Sequence, residues 1–174
     1  MVSKKIQAYM MGKTIHSNWP EAIQLQKKSS FGEQVGEKIQ YTLSEAYFLV
    51  EKNKMIIMSG KKELSKNILL KKFQSIDKKF SIKYSVFKNL RERGYVLKTA
   101  LKFGADFRVY DIGEKPGKEH AKWILFAEHE SKKLAWHEFS AKNRVAHSTK
   151  KNLLLAIVDE ENDITYYEVK WLKP

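Results

Sequence analysis

Cysteine is missing altogether from this 174-residue chain. That single absence removes disulfides, thiolate zinc sites and cysteine nucleophiles, and it fits a reducing cytosol. Long apolar runs are missing as well: the longest, residues 153–158, is far short of the roughly 20 residues that a membrane helix needs. Residues 1–13 contain no signal-peptide core. The expectation is a soluble, cytoplasmic protein without membrane contact. No internal repeat and no low-complexity linker interrupts the chain. Carboxylates are scarce relative to cations, with 20 Asp and Glu against 33 Lys and Arg, for a net charge of +13. Such a balance attracts polyanions, because each phosphate neutralised releases condensed counterions. By itself it suits a merely soluble lysine-rich protein as well as a nucleic-acid binder.

What is present is enough for a packed fold. A hydrophobic fraction of 43% and an aromatic share of 12% argue against disorder. The length allows one large domain or two small ones. Residues 6–11 and 22–26 read as short strands, with turns at Gly12, Asn18 and Pro20, and 29–37 reads as a Ser/Gly-rich loop. Thr42 with Glu45 three residues on forms a capping box that opens a helix to about residue 52. A short strand at 55–58 ends at Gly60. Residues 61–79 form an amphipathic helix or helix pair, with Leu64, Ile68, Leu69, Phe73 and Ile76 on one face and lysines elsewhere; 82–93 is a further helix ended by Gly94.

Beyond Gly94 the pattern turns to strands. Residues 95–99, 107–110, 120–127, 153–158 and 164–171 are strand-like, and 136–147 is helical. The last two strands pair across the acidic turn at 159–163. These readings give a small N-terminal α+β domain over residues 1–80, followed by a C-terminal α/β domain with a mostly β core over 81–174.

Three side chains of the second half hold the chemistry of interest: Tyr110 at a strand end, His120 beyond a Gly/Pro loop, and Lys151 just before an apolar strand. A phenol, an imidazole and an ammonium suffice to cleave RNA without a metal, one taking a proton, one giving a proton and one stabilising the charged phosphate. Taken singly, each has an ordinary structural reading, and spacing does not choose between the two.

A resemblance does. From about residue 84 onward the chain resembles the catalytic domain of the archaeal tRNA-splicing endonucleases. The matching residues are Leu90-Arg91-x-Arg93-Gly94-Tyr95-Val96, Lys102-Phe103-Gly104-Ala105-Asp106-Phe107-Arg108-Val109-Tyr110 and Gly117-Lys118-Glu119-His120. Arg144-Val145-Ala146-His147-Ser148, Lys150-Lys151 before the apolar strand, and Tyr166-Tyr167 continue the match in order. The first eighty residues resemble the family's variable N-terminal domain only in size and texture.

The resemblance implies a catalytic Tyr110, His120 and Lys151 and no metal or other cofactor. It implies cleavage of precursor tRNA at a bulge–helix–bulge, leaving 2′,3′-cyclic phosphate and 5′-hydroxyl ends. His120 would then protonate the leaving 5′-oxygen, Lys151 would stabilise the pentacoordinate phosphorus, and Tyr110 would act as the base if a cation favours its phenolate. Arg144 matches a family arginine that grips a bulged base, with Trp171 as the second planar group. The acidic turn Asp159, Glu160, Glu161, Asp163 matches a loop that docks on a neighbouring subunit. Two scissile bonds related by a two-fold axis call for two catalytic chains, in a homotetramer or in a heterotetramer with a non-catalytic paralogous subunit. Two rivals stand beside this reading. One is a metal-dependent nuclease built on Asp159 or Asp163 with Glu168-x-Lys170; the other is a non-catalytic RNA-binding or assembly subunit.

Overall fold

The computed structural model describes residues 5–172, and these divide into two compact units at the boundary between Ser81 and Ile82. The protein is mixed α+β, with a sheet in each unit.

The first unit runs β1 (Ile6–Met11), β2 (Thr14–Ser17), α1 (Pro20–Ser29), β3 (Glu33–Val35), β4 (Lys38–Tyr41), α2 (Leu43–Glu51), β5 (Met55–Ser59), β6 (Lys62–Glu63) and α3 (Lys66–Ile76). Its six strands are ordered β3-β4-β2-β1-β5-β6, and the β1–β5 pair is parallel. Alternation sends Ile6, Ala8, Ile15, Ile39, Met55 and Ile57 to the buried face. Capping fixes α2. The Thr42 hydroxyl accepts from the Glu45 N–H, and Glu45 in return accepts from the Thr42 N–H at 3.0 Å. The same carboxylate, only 2% exposed, accepts from the N–H of Gly32 at 3.0 Å. Gly32 sits at φ +73 against Ile39 and Tyr41, where a Cβ has no room. Tyr47, Phe73 and Phe80 pack edge to face, with ring centroids 5.3 to 6.1 Å apart.

Several expectations for this unit need correction. Residues 22–26 are helical, not a strand. Pro20 at the first helical position presets φ, Glu21 and Lys27-Lys28 complement the helix dipole, and Ser30 ends the helix at φ 57. The expected loop at 29–37 contains β3, which turns at Gly36 into β4. Within α3, Leu69 and Phe73 are fully buried as the apolar face requires, whereas Ile68 is 39% exposed and Leu64 is buried from the segment before the helix. The helix expected at 82–93 is α4 (Phe80–Glu92), and the division between the units falls within its first turn.

The second unit continues with β7 (Val96–Ala100), a 3₁₀ turn at Leu101–Phe103, β8 (Ala105–Tyr110), β9 (Trp123–His129), α5 (Trp136–Ser148), β10 (Asn152–Val158) and β11 (Ile164–Val169). The order is β11-β10-β9-β8-β7, antiparallel except for β9–β10, whose parallel pairing requires the α5 crossover. Ile124, Phe126, Leu153 and Leu155 form the core beneath α5, which contributes Ala146, Phe139 and Val145. On the opposite face Phe107 meets Phe87 of α4 at 5.9 Å between ring centroids. No helix among the described residues is long and apolar enough to cross a membrane.

Candidate active site

Three strands of the second sheet meet at one edge. β8 runs toward it, while β9 and β10 both start from it. Val109 pairs with Trp123, which pairs with Asn152. One residue further out, the Lys122 N–H donates to the Val109 carbonyl at 2.9 Å and the Asn152 N–H donates to the Lys122 carbonyl at 3.0 Å. Tyr110 and Lys151 therefore flank Lys122 at the rim, their backbones two strand spacings, about 10 Å, apart. Alternation puts Phe107 and Val109 on the α4 face and leaves Arg108 and Tyr110 on the α5 face, where Lys151, Leu153 and Leu155 also lie.

Lys151 owes its position to the end of α5. Lys150 adopts φ 56, its N–H donates to the His147 carbonyl, and the Lys151 N–H donates to the Ala146 carbonyl, both at 2.9 Å. This is a Schellman ending with a lysine at the left-handed position that glycine normally fills, at a cost of about 1 kcal/mol. The Lys151 ammonium donates to the Thr149 carbonyl at 2.8 Å. Desolvation pushes its pKa below the ordinary lysine value, and the nearby Arg108 charge lowers it further.

Tyr110 is only 4% exposed, and its hydroxyl makes no hydrogen bond among the described residues. His120 differs in its burial. It is exposed and lies in the loop before β9, three residues ahead of where that strand starts, so the strand expected from residue 120 is shorter. An ion pair between Lys122 and Asp111 at 2.7 Å closes the base of this loop. It holds the Asp111 carboxyl below, and the Lys122 ammonium above, their ordinary pKa values. The N–H groups of Lys118 and Glu119 both turn back to the Lys115 carbonyl, and buried Ala121 fixes the residue after His120.

Two shallow grooves share the end of α5, and one of them is lined by Lys151. The first, of about 600 Å³, is lined by His147, Lys150, Lys151, Lys170 and Trp171 among others; the second, of about 570 Å³, shares His147 and Trp171 and adds Phe139 and Arg144. The structure thus brings Arg144 and Trp171 to one groove and Lys151 to its neighbour, while Tyr110 and His120 line neither. Trp171 is 58% exposed and takes the His147 ring edge-on at 4.1 Å between centroids. The two residues are far apart in sequence, so this contact was not legible beforehand. Arg108 was also passed over, although its place two residues before Tyr110 on a strand is enough to put both on one face.

The acidic turn lies at the opposite edge, about 25 Å along β10 from Lys151. Half-buried Asp159 organises it, accepting from the Glu161 and Asp163 N–H groups at 2.9 and 2.8 Å. Glu160, Glu161 and Asp163 point outward. This spacing bears on the metal-dependent rival. Asp163 and Glu168 stand at opposite ends of β11, about 16 Å apart, and Glu168 already accepts from Trp123 Nε1 and Asn152 Nδ2. The fold does not draw those carboxylates to one point, and the described residues include no cluster of three metal-ligating side chains.

Comparison with known proteins bears on the chain as a whole. The model of a family described as tRNA intron endonuclease, catalytic C-terminal domain, matches residues 80–166, and that of the tRNA intron endonuclease N-terminal domain matches residues 6–70. A tRNA-splicing endonuclease of Pyrococcus horikoshii is 40% identical over 173 residues, 99% of either chain. One of Nanoarchaeum equitans is 49% identical over 138 residues, covering 76% of this chain and 88% of its own. Another, of Methanothermobacter thermautotrophicus, is 37% identical over 155 residues, 88% of this chain and 89% of its own.

Proposed function

This chain belongs to the tRNA intron endonuclease family, and on that premise we propose that it is a catalytic subunit cutting precursor tRNA at bulge–helix–bulge junctions without a metal. In this reading the 2′-hydroxyl of the nucleotide before the cut gives its proton to the Tyr110 phenolate and attacks the adjacent phosphorus. The bond from phosphorus to the 5′-oxygen breaks as His120 hands that oxygen a proton. One chain end leaves as a 2′,3′-cyclic phosphate and the other as a 5′-hydroxyl. Lys151 stabilises the non-bridging oxygens, whose charge grows in the pentacoordinate state. Arg144 and Trp171 stack on an unpaired base beside the cut.

The observation that supports this most is the common sheet edge: the end of β8, the loop before β9 and the residue before β10 meet within two strand spacings. Two cuts per intron then require two such chains, in a homotetramer or with a non-catalytic paralogous subunit, docked through Asp159, Glu160, Glu161 and Asp163. The test is cleavage of a bulge–helix–bulge RNA in excess EDTA with end-group analysis. Cyclic phosphate and 5′-hydroxyl ends are expected. Loss of cleavage in EDTA that returns with magnesium would overturn the metal-free mechanism.

A further inference from the structure

A second cation stands on the α5 face of β8, two residues in from Tyr110, with no carboxylate to balance it. Arg108 leaves β8 on the Tyr110 face, and its register partner Ile124 pairs in turn with Leu153, two residues on from Lys151. Half-buried, Arg108 donates from Nε to the Thr99 carbonyl at 3.0 Å. That bond fixes the plane of the guanidinium and leaves both terminal nitrogens without a partner among the described residues. Lys151 is in the same condition, bonded to one carbonyl and to no carboxylate. Two other partly buried cations of this unit take carboxylates: Lys83 pairs with Asp106 at 3.3 Å, and Lys142 with Glu128 at 3.4 Å. The Arg108 charge is close enough to Lys151 to depress its pKa. Two like charges held together on a desolvated face repel, and an anion between them reverses the sign of that energy.

We propose that Arg108 is a phosphate-binding catalytic residue, gripping with its two terminal nitrogens the non-bridging oxygens of the phosphodiester that Lys151 also contacts. A planar fork suits that task better than an ammonium, because it meets two oxygens of one phosphate at once. The oxygens carry more charge in the pentacoordinate state than in the ground state, so Arg108 acts on the rate more than on the affinity. This inference rests on the splicing reading of the site.

Two measurements test it. In single-turnover cleavage at saturating enzyme, Arg108→Gln lowers the rate about 10²- to 10³-fold, the scale seen on removing one oxyanion donor. RNA affinity changes less than about tenfold, and Arg108→Lys falls between the two. Cleavage by the unaltered protein in the same assay shows the splicing reading to be sound whatever the variant does. A folded Arg108→Gln protein cutting at the unaltered rate would overturn the assignment. Because the bond to Thr99 ties β7 to β8, circular dichroism accompanies each variant. Should Arg108→Gln fail to fold, the unaltered protein decides: titration with inorganic phosphate shifts the Arg108 guanidinium resonances saturably, and unmoved Arg108 signals beside a shifting Lys151 refute the claim.

Discussion

Replacing His120 by alanine separates chemistry from folding more cleanly than any other change at this site. The imidazole is exposed, makes no hydrogen bond among the described residues, and lies in a loop closed by other groups: the Asp111–Lys122 ion pair, the turn at Lys115 and buried Ala121. Its removal empties no cavity, so folding stability stays within about 0.5 kcal/mol. General-acid action is worth roughly 10²- to 10⁴-fold, equal to about 2.7–5.4 kcal/mol of barrier. The assay is single-turnover cleavage in EDTA with two RNAs, one bearing the natural 5′-oxygen at the cut and one with sulfur in its place. A thiolate leaves without needing a proton. The variant should be slow on the oxygen substrate and close to the unaltered rate on the sulfur one. Equal impairment on both would refute proton donation, even if activity were low.

Three further outcomes follow from particular groups. Lys151 has a folded pKa below that of the unfolded chain, so the ammonium is lost, and cleavage falls, at a pH below the ordinary lysine value; Lys151→Arg shifts that alkaline limb upward in a pH–rate profile. The same depression means the unfolded chain binds the proton more tightly. This group's contribution to stability is thus least favourable below the folded pKa and rises with pH up to the unfolded value, a sign that denaturant titration at several pH values checks. Thr42→Ala removes the cap of α2 and the hydroxyl donor to the buried Glu45 carboxylate, lowering stability by about 1–2 kcal/mol, seen as a reduced urea midpoint at constant slope. Reversing Glu160 and Glu161 to lysine leaves the turn backbone held by Asp159 but reverses two of its three outward negative charges, so native mass spectrometry should show smaller assemblies than the unaltered protein gives.

Locally encoded features were legible in the sequence. The Thr42–Glu45 capping box lies within four residues and specifies the start of α2 without help from the rest of the chain. The apolar run that became β10 and the amphipathic run that became α5 carry periods long enough to identify. Residues 22–26 carry a pattern compatible with either state, and Pro20 at the helix start, read only as a turn, was the residue that decided it. The strands at 14–17, 33–35 and 38–41 are three or four residues each. Their stability comes from partners distant in sequence, which no window around them contains. Register is non-local in the same way. Nothing near Tyr110 in sequence says that Lys122 and Lys151 stand beside it; that follows only once β9 and β10 are known to be parallel.

The second unit sorts its charges by position. At the edge shared by Tyr110 and Lys151 two carboxylates are engaged: Asp111 with Lys122 at the base of the loop, and Glu168 with Trp123 and Asn152 on the face away from α5. The α5 face keeps Arg108 and Lys151 without counter-ions, and Lys150 and Lys170 line the groove with Lys151. The exposed charges of the acidic turn lie at the other end of β10, about 25 Å away, more than twice the roughly 8–10 Å over which salt screens an exposed charge. A phosphate at the reactive edge is therefore spared the repulsion of the acidic turn, and a basic partner at the turn is spared that of Lys151. One unit of modest size can hold a polyanion at one end and a cationic surface at the other because the sheet is long enough to keep them electrically apart.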